Sequence, residues 1–440
     1  MITAGVIVYI TLLAVVGVRQ LHKTRTGDDF VSAGRSLAAP VLASTLVAAW
    51  IGSGSLFAGA GVGYRVGFAA LWQAAGAWTA IAIMWRLAPR VRELGVATLP
   101  EIFERHYGRT ARLLAAATIV VAYTAIVAFQ FGAGGRLLAL VSGVAPTTAI
   151  LIVALCAIGM TAVAGLRSVA WIDTFNAGVM ILGLGAAVLY LAGFQSAGAR
   201  PLRPEQLTIF GTLNPITGAL ALFLPALALL LGDAAMYQKL SAARHERAAR
   251  RAVAGWLAAT IVAEVLIITL AVFGSAALPG LDYGASETIV VRIALTVLPP
   301  MLGVLLAAAA AAIVISTANS FLLAAASVIS RDLWSARYAV ASVGIAALVL
   351  LQVFSGLLEI ALWAFTMYGA VITPPLMAAF FWPRVTRAGA VAGMGTGMAV
   401  TILVQAVAPA IPAIVPALLL STAVMIAVSL SSGRASVDAS

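Results

Sequence analysis

The sequence predicts an all-α protein that crosses a membrane many times. Three observations carry this. Of its 440 residues, 63% are hydrophobic and 9% charged, with a mean hydropathy of +1.08. That is more apolar surface than a water-soluble fold can hide. Apolar runs long enough to span a bilayer as helices recur from end to end, unlike the short alternating segments of a β-barrel. Of the 26 Lys and Arg, all but Arg65, Arg136, Arg200, Arg203 and Arg292 fall in alternate loops. By the positive-inside rule this predicts an outer N-terminus and a cytoplasmic C-terminus in the plasma (cell) membrane.

Thirteen spans follow, at 2–18, 40–63, 67–86, 112–140, 146–166, 170–193, 212–235, 252–276, 290–330, 337–354, 357–381, 388–408 and 411–431. The first, ITAGVIVYITLLAVVGV, has no basic segment before it and reads as a retained helix rather than a cleaved signal. The ninth is long enough to be tilted or to begin with a short surface helix. The tail from 433 to 440 is polar and reads as disordered.

The net charge of +11 does not point to nucleic acid, because the basic residues sit in short loops between spans. The single cysteine, Cys156, lies in an apolar run, which excludes a disulfide framework. The three histidines, His22, His106 and His245, fall in loops without metal-ligand spacing. There is no glycine-rich phosphate loop and no intramembrane nucleophile set. The chain therefore reads as neither an enzyme nor a binder of an organic cofactor, with no obligate protein partner evident. Its partners are the lipid bilayer and a small solute.

Polar groups inside spans are costly without a partner or water, so they mark candidate sites. In AAWIGSGSLFAGAG, from Ala48 to Gly61, the glycines and serines fall near mid-span. They allow either an opened helix with free carbonyls or close helix packing. In AAIVISTANSF, Ser316, Thr317, Asn319 and Ser320 make a polar patch, with Ser316 three and four residues from Asn319 and Ser320. Their oxygens suit Na⁺, or bond back to their own helix. Asp173, in GLRSVAWIDTFNAG, wants a cation or a basic partner, Arg167 being the nearest in sequence. Glu264 lies mid-span in ATIVAEVLIITL with no basic neighbour. It is open to protonation, to a core hydrogen bond, or to a place on the solute path.

These stretches, with FVSAGRSLAAP, DAAMYQKLSAARHERAARRA and MYGAVITPPLMAAFFWPRVTRAGAVAGMGTG, resemble in order and spacing the sodium:solute symporter family. Lys239 stands where that family often has arginine. The resemblance implies a LeuT-like core of two inverted five-helix repeats, at 40–195 and 196–383, each opening with a discontinuous helix. Residues 1–39 precede it as an extra helix and cytoplasmic loop. Two further helices, 384–432, follow it. The second interruption is expected near Pro225 or Gly232.

By position, the resemblance implies a Na⁺ site made by the carbonyls of Ala49, Gly52 and Ile313 and the hydroxyls of Ser316 and Thr317. A second Na⁺ site, or an exit path, would use Asp173 with Ser316, Asn319 and Ser320. Candidate solute contacts are Trp50, Ser53, Trp72, Gln73, Phe129, Gln130, Trp363 and Thr366. The scarcity of polar groups there favours a small amino acid or organic acid over a sugar. Arg65 and Arg136 are candidates to attract an anion from the outer surface. The implied function is Na⁺-coupled uptake by alternating access. The alternatives are a proton-coupled or uncoupled carrier on the same scaffold, and a membrane sensor or receptor. Against the sensor stands the short segment after the last span.

Overall fold

The structure is a computed structural model. It describes residues 27–437 except 96–97, 197–199, 331–332, 354–356 and 408–411, together with 3–5, 8–9, 11–12 and 15. Most of the expected first span, 2–18, lies outside the described residues, as do 438–440.

Among the described residues the chain is helical, with a lone bridge pairing Leu37 with Ala243. The helices are α1 Gly27–Ser32, α2 Ala39–Trp50, α3 Ala60–Val66, α4 Leu71–Leu94, α5 Leu99–Tyr107, α6 Arg109–Ser142, α7 Pro146–Ser196, α8 Thr217–Gly232, α9 Ala234–Ser241, α10 Glu246–Ala277, α11 Tyr283–Glu287, α12 Ile289–Thr296, α13 Pro300–Ile329, α14 Leu333–Val353, α15 Leu357–Phe381, α16 Arg387–Val407 and α17 Ile414–Val437. Among the described residues nine are long and apolar enough to span a bilayer, or ten if α8 and α9 form one bent span. The expected thirteen is not reached on that measure. Two expected spans are carried partly or wholly by shorter apolar helices, Ala39–Trp50 and Pro146–Ala162. The long ninth run resolves into the short α12 and the full-length α13, split at Pro299–Pro300. The expected disordered tail is helical to Val437.

Two helices are interrupted. The regular ladder of α2 ends where Ile51 N donates to Val47 O at 2.8 Å, with Ile51 at ψ 91. The chain resumes as a π-helical turn, Gly54–Gly59, and continues into α3. The second break separates α8 from α9 at Asp233, with a bend of 41°. It falls at Gly232 rather than Pro225, which α8 absorbs.

α13 is buried over most of its length and packs against α7, α6 and α2. Its alanines, Ala307 to Ala312, let those neighbours approach closely, the usual device where helices meet inside lipid. Large apolar side chains stay exposed on the outer helices, among them Leu155, Leu189, Ile345, Leu403 and Leu419. That is the surface a lipid-facing belt presents. α7 bends at Gly165, whose φ of +62 is open to glycine. A Cβ there would sit 3.0 Å from Phe30 of α1. This bend sets the course of the segment that carries Asp173.

Candidate functional site

α13 brings Ser316 and Thr317 against the broken end of α2. Ser316 Oγ lies 3.1 Å from Ala48 O. Thr317 Oγ1 lies 3.2 Å from Ala48 O, 3.3 Å from Ile51 O and 3.0 Å from Ile313 O. Ser316 also donates to Asp173 Oδ1. Among the described residues no backbone N–H reaches Ala48 O or Ile51 O: Ile51 turns its own back to Val47 O, and Ser55 and Leu56 turn theirs to Gly52 O. Two hydroxyl hydrogens therefore face four acceptors: Ala48 O, Ile51 O, Ile313 O and Asp173 Oδ1. The surplus of lone pairs, at the electronegative end of α2, is the setting a small hard cation completes.

The carbonyls that meet the hydroxyls belong to Ala48 and Ile51, each one residue before the expected Ala49 and Gly52. Gly52 matters for another reason. A Cβ on it would lie 2.7 Å from Thr317 Cγ2 and 2.8 Å from Thr317 Oγ1. Only glycine lets α13 come this close.

The expected second constellation is divided. Asp173 and Ser320 come together, but around Lys239 of α9. Lys239 Nζ donates to Thr45 O at 2.8 Å, Ser320 Oγ at 2.9 Å and Asp173 Oδ2 at 3.3 Å. Thr45 Oγ1 also donates to Asp173 Oδ2. Asn319 faces the other way, meeting Thr161 Oγ1 at 3.0 Å and Ala157 O at 3.2 Å on α7. Arg167 is not the partner of Asp173. Its guanidinium donates to Ser36 Oγ at 2.5 Å.

A cavity of about 260 Å³ opens beside the first break. Trp50, Gln73, Phe129 and Gln130, all expected, line it together with Ser55, Thr317, Phe321 and Phe365. Thr317 thus borders both the cavity and the oxygen cluster. Ser53 sits behind the wall, where its N and Oγ donate to Gln130 Oε1 at 3.2 and 2.5 Å. That leaves the Gln130 amide nitrogen as the donor nearer Gly52. Three further expected contacts are not in the lining either. Trp72 stacks on Phe210 and donates to Ile209 O at 2.9 Å, Trp363 packs on the core, and Thr366 is buried. Sequence reasoning missed Phe321, which lies one helical turn past Thr317 and could have been found by that spacing.

The second break is bridged by a side chain of the protein. Tyr368 Oη donates to Gly232 O at 2.7 Å and accepts from Ala234 N at 2.8 Å. Asp233 caps α9 through Ala235 N and Met236 N and accepts from Tyr123 Oη at 2.7 Å. Its backbone ends are met within the protein.

Above the cavity, α11 is held by both candidate anion-attracting arginines. Arg65 lies 4.1 Å over the Tyr283 ring and donates to Ser286 Oγ at 2.7 Å. Arg136 pairs with Glu287 at 3.5 Å. Tyr283 itself lines the cavity. Burial pushes the Glu287 carboxyl up from its ordinary value, and Arg136 and then Arg65 partly offset this.

A family model described as the sodium:solute symporter family matches residues 30–397. A sodium/pantothenate symporter of Escherichia coli is 26% identical, over 88% of this chain and 87% of its own. A high-affinity proline transporter of Bacillus subtilis is 26% identical, over 87% of each chain. Among solved structures, a Na⁺-coupled sialic acid symporter in an outward-open state superposes with a TM-score of 0.81 at 15% identity, covering 98% of this chain and 97% of that one. The transporter MhsT superposes with a TM-score of 0.62 at 16% identity, covering 89% and 98%. The fold is the LeuT-like one, two inverted five-helix repeats with discontinuous first helices.

Proposed function

Because the chain belongs to the sodium:solute symporter family, we propose that it is an integral plasma-membrane carrier coupling Na⁺ movement to uptake of a small organic solute. The relatives it matches carry pantothenate and proline with sodium or as dedicated transporters. The observation that carries the reading is Thr317. Its hydroxyl belongs to the oxygen cluster, and its side chain borders the cavity. An ion there and a solute beside it would order the same residue, so each would favour the binding of the other.

In this reading Na⁺ takes the carbonyl oxygens of Ala48, Ile51 and Ile313 and the hydroxyls of Ser316 and Thr317. The two α2 carbonyls replace Ala49 and Gly52 in the set the resemblance implies. Asp173 holds the Ser316 hydrogen, which leaves the Ser316 lone pairs for the ion. The ion draws the broken α2 onto α13 and favours one state of the carrier over the other, which suffices to shift the equilibrium.

The cavity suits an amino acid or organic acid. Among the described residues no charged side chain lines it, and Ile126, Phe129, Leu222, Phe321 and Phe365 offer apolar walls. Gly54 and Ser55, which open the second half of the first broken helix, line it as well. A helix start is electropositive and suits a carboxylate. The distribution of basic residues between loops supports a cytoplasmic C-terminus. The test is thermal stability of the detergent-purified protein in Na⁺, K⁺ and choline with panels of amino acids, carboxylates and sugars. A ligand of the folded state raises stability. A rise specific to Na⁺ and enlarged by one solute class supports the reading. A solute effect that follows pH with no Na⁺ effect would transfer the assignment to a proton-driven carrier.

A further inference from the structure

Lys239 is a buried cation without an obvious purpose in a carrier that imports one. Its side chain is 2% exposed, and that of Asp173 is fully buried. An ammonium has three N–H groups and accepts nothing. Here all three find acceptors: the Thr45 carbonyl, the Ser320 hydroxyl and the Asp173 carboxylate. The acceptors come from α2, α13 and α7, and Ser320 passes its own hydrogen to Ser316 O at 3.0 Å. This is the coordination of a monovalent cation, provided by oxygen ligands on three helices around a nitrogen that the chain itself supplies.

Asp173 and Ser320 are two of the oxygens that would make a second Na⁺ site, and Asn319, another, is turned toward α7. We propose that Lys239 is a tethered cation occupying the second cation position, so that the carrier binds one mobile Na⁺ per cycle. The proposal rests on the sodium-symport reading and adds its stoichiometry. The argument is one of charge. A buried carboxylate needs one positive partner, and the Asp173 charge is already balanced by a group that cannot leave. A second Na⁺ would have to enter beside an ammonium at short range, where like charges in a poorly polarisable interior repel strongly. The other buried carboxylate near Lys239 in sequence, Asp233, is held through Oδ1 by Tyr123 and its own helix start, while its Oδ2 meets no hydrogen-bond donor among the described residues.

The same contacts have a mechanical side. Thr45 belongs to the first half of the first broken helix, and Lys239 to the second half of the second. The ammonium joins them one turn of α13 beyond Ser316. Separating these halves on that side of the ion means withdrawing Lys239 from all three acceptors together.

The test counts ²²Na⁺ bound to the purified protein without solute, by equilibrium dialysis. The wild type is expected to bind one ion, with a Hill coefficient of about one. Lys239→Ala is expected to bind two, the second lost again in Lys239→Ala with Asp173→Asn. Two ions on the wild type, or one on a folded Lys239→Ala, overturn the proposal and leave sodium coupling intact. No ion on the wild type overturns the sodium reading itself. If Lys239→Ala does not fold, Lys239→Gln carries the same test, because it keeps the length and removes the charge.

Discussion

Trp50 Nε1 donates to Glu264 Oε1 at 3.1 Å, and Ser55 Oγ reaches the same oxygen at 3.4 Å, so a single carboxylate oxygen from α10 holds both sides of the first break. The bond needs an acceptor, not a charge. Glu264→Gln keeps the acceptor and is expected to retain Na⁺-dependent uptake within about fivefold, the worth of one ordinary hydrogen bond. Glu264→Leu removes it and should lower uptake by about tenfold or more. Uptake assays across pH decide the matter. Loss of accumulation in Glu264→Gln, together with loss of pH dependence, would assign the coupling proton to this residue.

Ser316→Ala with Thr317→Ala removes both hydroxyls from the proposed cation site. Contacts to a charged partner contribute about 1.5–3 kcal/mol each. The half-saturating Na⁺ concentration should therefore rise by at least about a hundredfold, in effect abolishing sodium stimulation. Size-exclusion chromatography should show the folded protein. Unchanged sodium dependence would remove the site assignment.

Gly52→Ala places a methyl 2.7 Å from Thr317 Cγ2. Overpacking of this kind costs about 1–3 kcal/mol. Here the relief is for α13 to move off the broken end of α2. Sodium affinity should thus fall more than thermal stability does. Equal loss of both would mean that the glycine serves packing alone.

Gln130→Ala deletes a cavity donor, whereas Ser53→Ala removes one of the two bonds that anchor the Gln130 side chain and keeps the backbone one. Removing the donor should raise the half-saturating solute concentration by about five- to tenfold, for one lost hydrogen bond. Ser53→Ala should give a smaller effect of the same sign. Transport titrations of both variants check the order, and a larger effect for Ser53→Ala would contradict it.

Glu287 supplies the pH prediction. Its carboxyl is raised in the fold by burial, so folding favours the protonated form. The stability this contributes is complete below the ordinary carboxyl range and is lost as pH rises through the raised folded value. The wild type should lose stability relative to Glu287→Gln as pH rises above the ordinary carboxyl range. Melting curves of both proteins over that rise in pH provide the check. The opposite trend would show that the ion pair with Arg136 outweighs burial.

The break in the first core helix was legible through the resemblance, because the glycine and serine run by itself fits close helix packing equally well. The register of its carbonyls was not. Which oxygens are free depends on where the last regular hydrogen bond falls, and that is fixed by Ile51 turning back to Val47. The division of the polar patch follows from helix geometry that spacing alone leaves open. Asn319 and Ser320 are adjacent, so they point about 100° apart, and only the position of α7 and α9 decides which neighbour each one meets. The partner of Asp173 was out of reach for a different reason. Lys239 is 66 residues away, and nothing local in DAAMYQKL says that its side chain turns inward. The cavity was half legible: aromatic and amide residues near the break were found, but those on distant turns, such as Trp72 and Trp363, could not be sorted from packing.

Tyr368 closes the second break from within, while the first is left with carbonyls awaiting a partner. The two halves of the fold therefore share a shape but differ in what can stiffen them. The second is a permanent elbow, whose angle is set by the protein's own hydrogen bonds and is the same in every state that keeps them. The first is a joint pinned on one side by Glu264 and, in the proposed reading, stiffened on the other by an ion drawn from the medium. On the proposed function, ion concentration then sets how often that joint is locked.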